Sequence, residues 1–251
     1  MGFDQKVRRT SLLESLAAEM EGRILDGRLA VGERLPAEGV LAAEYQVSRP
    51  LLREALSKLR ARGFLKTLTG RGTYVCHPGP GHLADVLLQQ ARLASDEPLT
   101  ADHLYEARLA IEVLGSRLAA ENSTPEVLDI LRQQLADMRL HAEDATAYTA
   151  ADVGFHLAIA KASGNPLLPA LLSPLVQVIV SGVFVSHGAE GATEAGIRAH
   201  AQILAAIESG DAKKAQAAIT RHLVESRTFF PDSALSVLAE GWAGSPPDSA
   251  S

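Results

Sequence analysis

Val47–Gly63 reads VSRPLLREALSKLRARG. Leu52, Leu56 and Leu59 recur at spacings of four and three, which stacks them on one side of a helix. Arg49, Arg53 and Arg60 fall on the other side, with Ser57 in the same row. Ser48 can cap the first turn, because its hydroxyl accepts an otherwise orphan backbone N–H. Pro50 suits the first turn, where a missing N–H costs little, and Gly63 suits the stop. The apolar side must bury against something, which turns the arginines outward. A short helix that offers arginines from its N-terminal turns is what a recognition helix needs to enter a DNA major groove. Taken alone, the stretch is equally an ordinary amphipathic helix with a solvated face. Its neighbours decide between the two.

Upstream, Thr10–Leu25 is helical in pattern, with Leu12, Leu13, Leu16, Met20 and Ile24 as its apolar stripe and Gly27 to end it. Leu29–Pro36 is a turn-rich bridge. Ala37–Tyr45 is a second short helix, with Val40 and Leu41 expected inward, and Glu44–Val47 is a tight turn. Downstream, Phe64–Leu68 alternates as a strand, Thr69–Gly72 (TGRG) supplies a turn, and Thr73–Cys76 returns. Helix, helix, turn, helix, hairpin is a winged helix-turn-helix. The hairpin is the wing, and Arg71 at its tip can reach phosphate or a groove.

GERLPAE (Gly32–Glu38), VSRPLLREAL (Val47–Leu56) and GRGTYV (Gly70–Val75) resemble the N-terminal domain of the GntR family of bacterial transcription regulators. The resemblance covers about residues 8–76 and implies binding of double-stranded DNA as a homodimer. It places DNA contacts on Ser48, Arg49 and Arg53 and on the wing turn Thr69, Gly70 and Arg71. One position departs: many members carry a basic or polar DNA-contacting residue after the PAE motif, where this chain has Gly39.

Charge follows the same division. The chain of 251 residues has a formal net charge of −6, yet residues 1–76 hold 13 Lys/Arg against 9 Asp/Glu. Between Gln46 and Arg71 there are seven basic residues and one acid, Glu54. A basic stretch on an otherwise acidic chain points to a polyanion that meets that region alone. At 47% hydrophobic and 22% charged the chain can bury a core, and few aromatics with abundant Ala and Leu favour helix packed on helix. The single cysteine, Cys76, excludes an internal disulfide framework and fits a reducing cytoplasm; packing is its expected role. The first ten residues carry no apolar run after their charges, so no secretory signal is read there. Leu167–Val185 has 19 residues without a charge, but Pro169 and Pro174 and several polar residues interrupt it. It reads as a buried core helix broken near its start, not a membrane span.

HPGPG (His77–Gly81) is a linker by composition, so the domains are expected at 1–76 and 84–231 with a linker at 77–83. Beyond it the pattern is all helix: Leu83–Ser95, Thr100–Asn122 with Leu104, Ala107, Ile111, Leu114 and Leu118 as its stripe, Thr124–Ala142, Thr146–Ser163, the apolar helix, one ending near Ser209, and a last one from Ala212, capped by Asp211, to about Phe229. A Gly-rich loop is read near Gly188–Gly191, and the Gly/Pro/Ser-rich residues 232–251 read as a disordered tail. The expected fold is mainly α: a winged helix-turn-helix, then an all-α bundle.

Asp152 and His156 lie one helical turn apart in ADVGFHLAIA, while His200 and His222 sit one on each of the last two helices. Carboxylate plus imidazole suits zinc, nickel, iron or manganese, and three helices facing one another can assemble such a set inside a bundle. The bland alternatives are hydrogen-bonded core histidines and a simple i,i+4 ion pair. LYEARLAIE (Leu104–Glu112), DVGFHLAIAKASGN (Asp152–Asn165), AHAQILAAIESGD and ITRHL resemble the FCD effector domain of the FadR subfamily. That resemblance implies a divalent metal, zinc foremost, on Asp152, His156, His200 and His222. It also implies a small-carboxylate effector near Arg108, whose guanidinium fork suits a carboxylate; the alternative for Arg108 is an internal salt bridge to Glu112. The implied function is a cytoplasmic, metabolite-responsive repressor on a short pseudo-palindromic operator. Two rivals stay open: a metal-dependent enzyme acting on a small acid through the same Asp/His set, and a regulator whose pocket holds no metal.

Overall fold

The computed structural model describes residues 2–94, 99–187 and 189–230, with side chains for all of these but 2–11, 92 and 181–186. The tail expected at 232–251 and Gly188 of the expected loop lie outside the described residues. The chain divides into two compact units, Met1–His82 and Leu83–Ser251.

The first unit holds helices α1 (Gly2–Leu25), α2 (Glu38–Glu44) and α3 (Arg49–Ala61) and strands β1 (Leu65–Leu68) and β2 (Gly72–Val75). The Ser48 hydroxyl accepts from the Leu51 N–H and starts α3, and Gly63, at φ 78°, ends its overrun. The strands pair antiparallel from Leu65↔Val75 to Leu68↔Gly72, with Gly70 at φ 74° turning the hairpin. Arg34 adds a short bridge to Tyr74, so the wing is tied to the stretch before α2. Leu16, Met20 and Ile24 of α1 pack with Leu41 of α2, Leu52, Leu56 and Leu59 of α3, and Phe64, Leu65 and Val75 of the hairpin. Two expected inward residues are not inward. Leu12 and Val40 are exposed, and α2 buries Leu41 and Ala42 instead. A seven-residue helix has too few turns for its stripe to be read by periodicity.

The second unit is helical throughout the described residues: α4 (Pro80–Ala94), α5 (Ala101–Asn122), α6 (Pro125–Leu140), α7 (Ala145–Ala162), α8 (Leu167–Ser186), α9 (Ala192–Glu208) and α10 (Ala212–Phe229). Helix α4 opens at Pro80, so the stretch without regular structure after the hairpin is Cys76–Gly79, shorter than the expected linker. The stripe expected on α5 is corrected. Leu114 is exposed, Ala107 and Ile111 are only partly buried, and the buried face carries Leu104, Tyr105, Arg108, Glu112, Ser116 and Ala119. Helix α5 touches α7, α8, α9 and α10, so burial on it is not confined to one apolar stripe. The break expected near the start of the apolar segment is also corrected. Helix α8 runs through from Leu167 with Pro174 inside it. Pro169 falls in the first turn, where helical N–H groups have no partner anyway. Burial of Leu168, Leu172 and Val176 against Ala160 holds the helix across Pro174. Among the described residues no helix is long and apolar enough to cross a membrane.

Candidate metal centre and nucleic-acid interface

Helix α7 is capped by the Asp144 carboxylate, which accepts from the Thr146 and Ala147 N–H groups, and it buries Asp152 and His156 on one face. Helix α9 brings His200 to them and α10 brings His222, its own start fixed by Asp211 accepting from the Lys214 N–H. The four side chains are buried, and one ligand atom from each lies within 4.8 Å of the others. His156 Nε2 stands 3.3 Å from His200 Nε2 and 3.2 Å from His222 Nε2, and His200 Nε2 stands 3.2 Å from an Asp152 oxygen.

The opposite ring nitrogens explain why the Nε2 atoms face inward. The Glu112 carboxylate on α5 lies 2.5 Å from His156 Nδ1. An ionised carboxylate only accepts, so that nitrogen carries the proton and Nε2 is the bare one. His200 Nδ1 is 2.7 Å from the Gly196 carbonyl, which likewise only accepts. Ser226 donates to the His222 carbonyl at 2.7 Å, leaving its oxygen as the acceptor 3.5 Å from His222 Nδ1. Three lone pairs and a carboxylate therefore converge, and bare nitrogens cannot bond one another. Two nitrogens about 2.1 Å from one ion stand ~3.0 Å apart at a right angle and ~3.4 Å apart at the tetrahedral angle. The three quoted separations fall within that span, and the four donor atoms all lie within 4.8 Å of one another, so this donor set suits a divalent ion once its wider pairs draw in.

The electrostatics agree. Burial and then His200 and His156 push His222 well below its ordinary value, which keeps the ring neutral and able to donate a lone pair. Burial works to raise the Glu112 carboxyl, but Arg108 followed by His156 brings it down to about 2. Arg108 Nε donates to the other Glu112 oxygen at 2.6 Å, with both side chains at 3% exposure or less. The salt-bridge reading of Arg108 is thus realised, and the same residue also lines a cleft with Tyr105, Tyr148, Asp152, His156 and His222.

Glu112 is the residue that sequence reasoning passed over. It was visible only as the i+4 partner of Arg108. Its second oxygen serves a histidine 44 positions away, which no local pattern signals. His187 also lines the cleft, and its Nε2 lies 2.8 Å from the Ala142 carbonyl.

In the first unit the structure leaves Ser48, Arg49 and Arg53 exposed at the N-terminal end of α3, and Thr69, Gly70 and Arg71 exposed at the hairpin turn. The seven basic residues counted in the sequence do not form one face. Lys58 pairs with Glu14 and Arg62 with Glu21 at 2.5 Å, so both point toward α1. Arg53 Nε lies 2.6 Å from a Glu38 oxygen in a solvent-exposed pair, and the Arg49 guanidinium lies beside Gly39, 3.1 Å from where a Cβ there would sit. Cys76 packs its thiol on the Gly63 carbonyl, and burial pushes that thiol up. It is a packing residue.

Residues 12–75 match the family described as bacterial regulatory proteins, gntR family, and residues 103–225 match the FCD domain. The chain belongs to the GntR family of regulators, with an FCD domain after its winged helix. It is similar to the HTH-type transcriptional repressor NanR of Escherichia coli strain K12 and of Shigella flexneri. Each is 28% identical over 217 residues, 86% of this chain and 82% of the relative. A solved structure, Streptococcus agalactiae GntR, superposes with a TM-score of 0.65 at 28% identity, over 86% of this chain and 99% of that one. A GntR regulator with an FCD domain is a transcription regulator that binds DNA, not an enzyme. The enzymatic reading of the Asp/His set is therefore set aside.

Proposed function

We propose that this GntR-family chain is a repressor that binds a short pseudo-palindromic operator as a homodimer and is regulated by a small carboxylate at a divalent-metal site. The observation that carries the reading is the convergence of four buried donors on one point beside a cleft that Arg108 lines. Asp152, His156, His200 and His222 would hold the ion, and zinc, nickel, iron or manganese suits such a set. When bound, the ion supplies positive charge at the floor of the cleft and so favours an anionic ligand. Arg108 adds a guanidinium at the same cleft, already oriented by Glu112. Tyr105 faces the cleft as a neutral phenol, its hydroxyl pushed up to about 12 by burial.

On the DNA side, Arg49 and Arg53 leave the first turns of α3, which is where a recognition helix meets base edges. The exposed Arg53–Glu38 pair is weak and readily exchanged for a phosphate or base contact. Gly39 offers no side chain of its own, so reading rests on Arg49, Arg53 and the wing residues Thr69, Gly70 and Arg71. The names of the NanR relatives support repression over activation. An effector alters DNA binding only if it binds one DNA-competence state better than the other. The segment Cys76–Gly79 is where such a change of state would be absorbed.

The test is selection from a random duplex library with the purified full-length protein. Wild type is expected to enrich a two-fold related site, and Arg49→Ala with Arg53→Ala is expected to lose that enrichment. Equal enrichment by the double variant would remove α3 as the reading element.

A further inference from the structure

Gly196 lies in α9 one turn before His200, and it does two things. Its carbonyl accepts from His200 Nδ1 at 2.7 Å, a role any residue could fill. Its missing side chain is more particular. A Cβ placed there would sit 2.4 Å from the Tyr148 hydroxyl oxygen, well inside contact distance, but 3.8 Å from the ring carbon that bears it. Tyr148 cannot easily step aside. It is 5% exposed, it packs at 5.2 Å on the His187 ring, and His187 is tied to the Ala142 carbonyl. Tyr148 and Gly196 both line the cleft that holds Arg108 and Asp152. Burial, then the Asp152 and Glu194 charges, push the Tyr148 phenol far above its ordinary range, so the hydroxyl keeps its proton.

We propose that Tyr148 and Gly196 together set anion affinity in this cleft: the absent side chain at 196 admits the Tyr148 hydroxyl, which donates to the bound anion. The proposal rests on the carboxylate-binding reading above and adds the residue pair that strengthens anion binding there. Tyr148 is the contacting residue and Gly196 the positioning one. The clash involves only the oxygen, so the two substitutions must be coupled. Gly196→Ala should lower the thermal midpoint of the wild type, where the clash outweighs alanine's better helix propensity, but should raise that of Tyr148→Phe slightly, because the phenylalanine ring meets the new Cβ at ordinary contact distance and the helix gains an alanine.

The experiment uses the zinc-loaded full-length chain in four forms: wild type, Gly196→Ala, Tyr148→Phe and the double variant. Thermal midpoints are recorded without anion, zinc affinity by chelator competition, and dissociation constants for acetate, glycolate and citrate by calorimetry. Each variant is expected to retain zinc affinity, since His200 is held by the backbone of residue 196. Each is expected to weaken binding of the tightest probe by on the order of tenfold or more, as for loss of a hydrogen bond to a charged group. The double variant should be no weaker than either single one. Wild-type binding that the variants share overturns this proposal alone, and so do additive midpoint losses. Failure of the wild type to bind any of the three probes overturns the carboxylate reading and this proposal with it.

Discussion

Glu112 shows how one buried side chain can serve two partners. One oxygen takes the Arg108 Nε–H and the other takes the His156 Nδ1–H, so a guanidinium, a carboxylate and an imidazole form a buried chain from the cleft to the donor set. Carboxylates behind metal-binding histidines fix the tautomer and raise the basicity of the ligand nitrogen, and losing them typically costs about 10–100-fold in metal affinity. Glu112→Gln is therefore expected to weaken zinc binding by ~10–100-fold in chelator competition. Glu121→Gln, which removes an exposed partner of Arg117 on the same helix, should change nothing. Equal affinities in the two variants would deny Glu112 its role. The sequence made the four inner donors legible, because Asp152 and His156 share a helix face by spacing and the family pattern named the other two. The residues behind them were not legible. The Glu112–His156 contact joins separate helices, and the Gly196 acceptor is a backbone atom with no side-chain signature.

At the scale of elements, the starts of α3, α5 and α10 were read well because capping chemistry is local, whereas α1 and α4 begin at Gly2 and Pro80, ahead of the expected Thr10 and Leu83, where no capping residue marks the start. Ser48, Thr100 and Asp211 each cap the helix they were read to open or stand beside, through their own side-chain oxygens. The faces of α2 and α5 were read less well. A short helix carries too few turns to define a stripe, and a helix surrounded by others buries polar residues that pair with one another. The Ser48 cap fixes the turn from which Arg49 and Arg53, the proposed reading residues, emerge. Ser48→Ala should cost about 1 kcal/mol in the unfolding of the winged-helix unit by urea titration. A change under a few tenths of a kcal/mol would show that packing of Leu51 and Leu52 alone holds that end.

For the whole molecule, the order of the two units and the helical character of the second were legible from patterning, because winged-helix punctuation and a change to unbroken 3.6-residue periodicity are both local signals. The bundle's donor-lined interior emerges only when α5, α7, α9 and α10 meet. Everything proposed for regulation depends on that interior holding an ion, for without one the converging Nε2 lone pairs have nothing to bind. The most direct measurement is elemental analysis of the full-length chain purified without chelator, beside His200→Ala. The account predicts close to one transition-metal ion per chain in the wild type and little in the variant. A wild type without stoichiometric metal that also takes up none on exposure to zinc, or a variant that holds as much as the wild type, would contradict it.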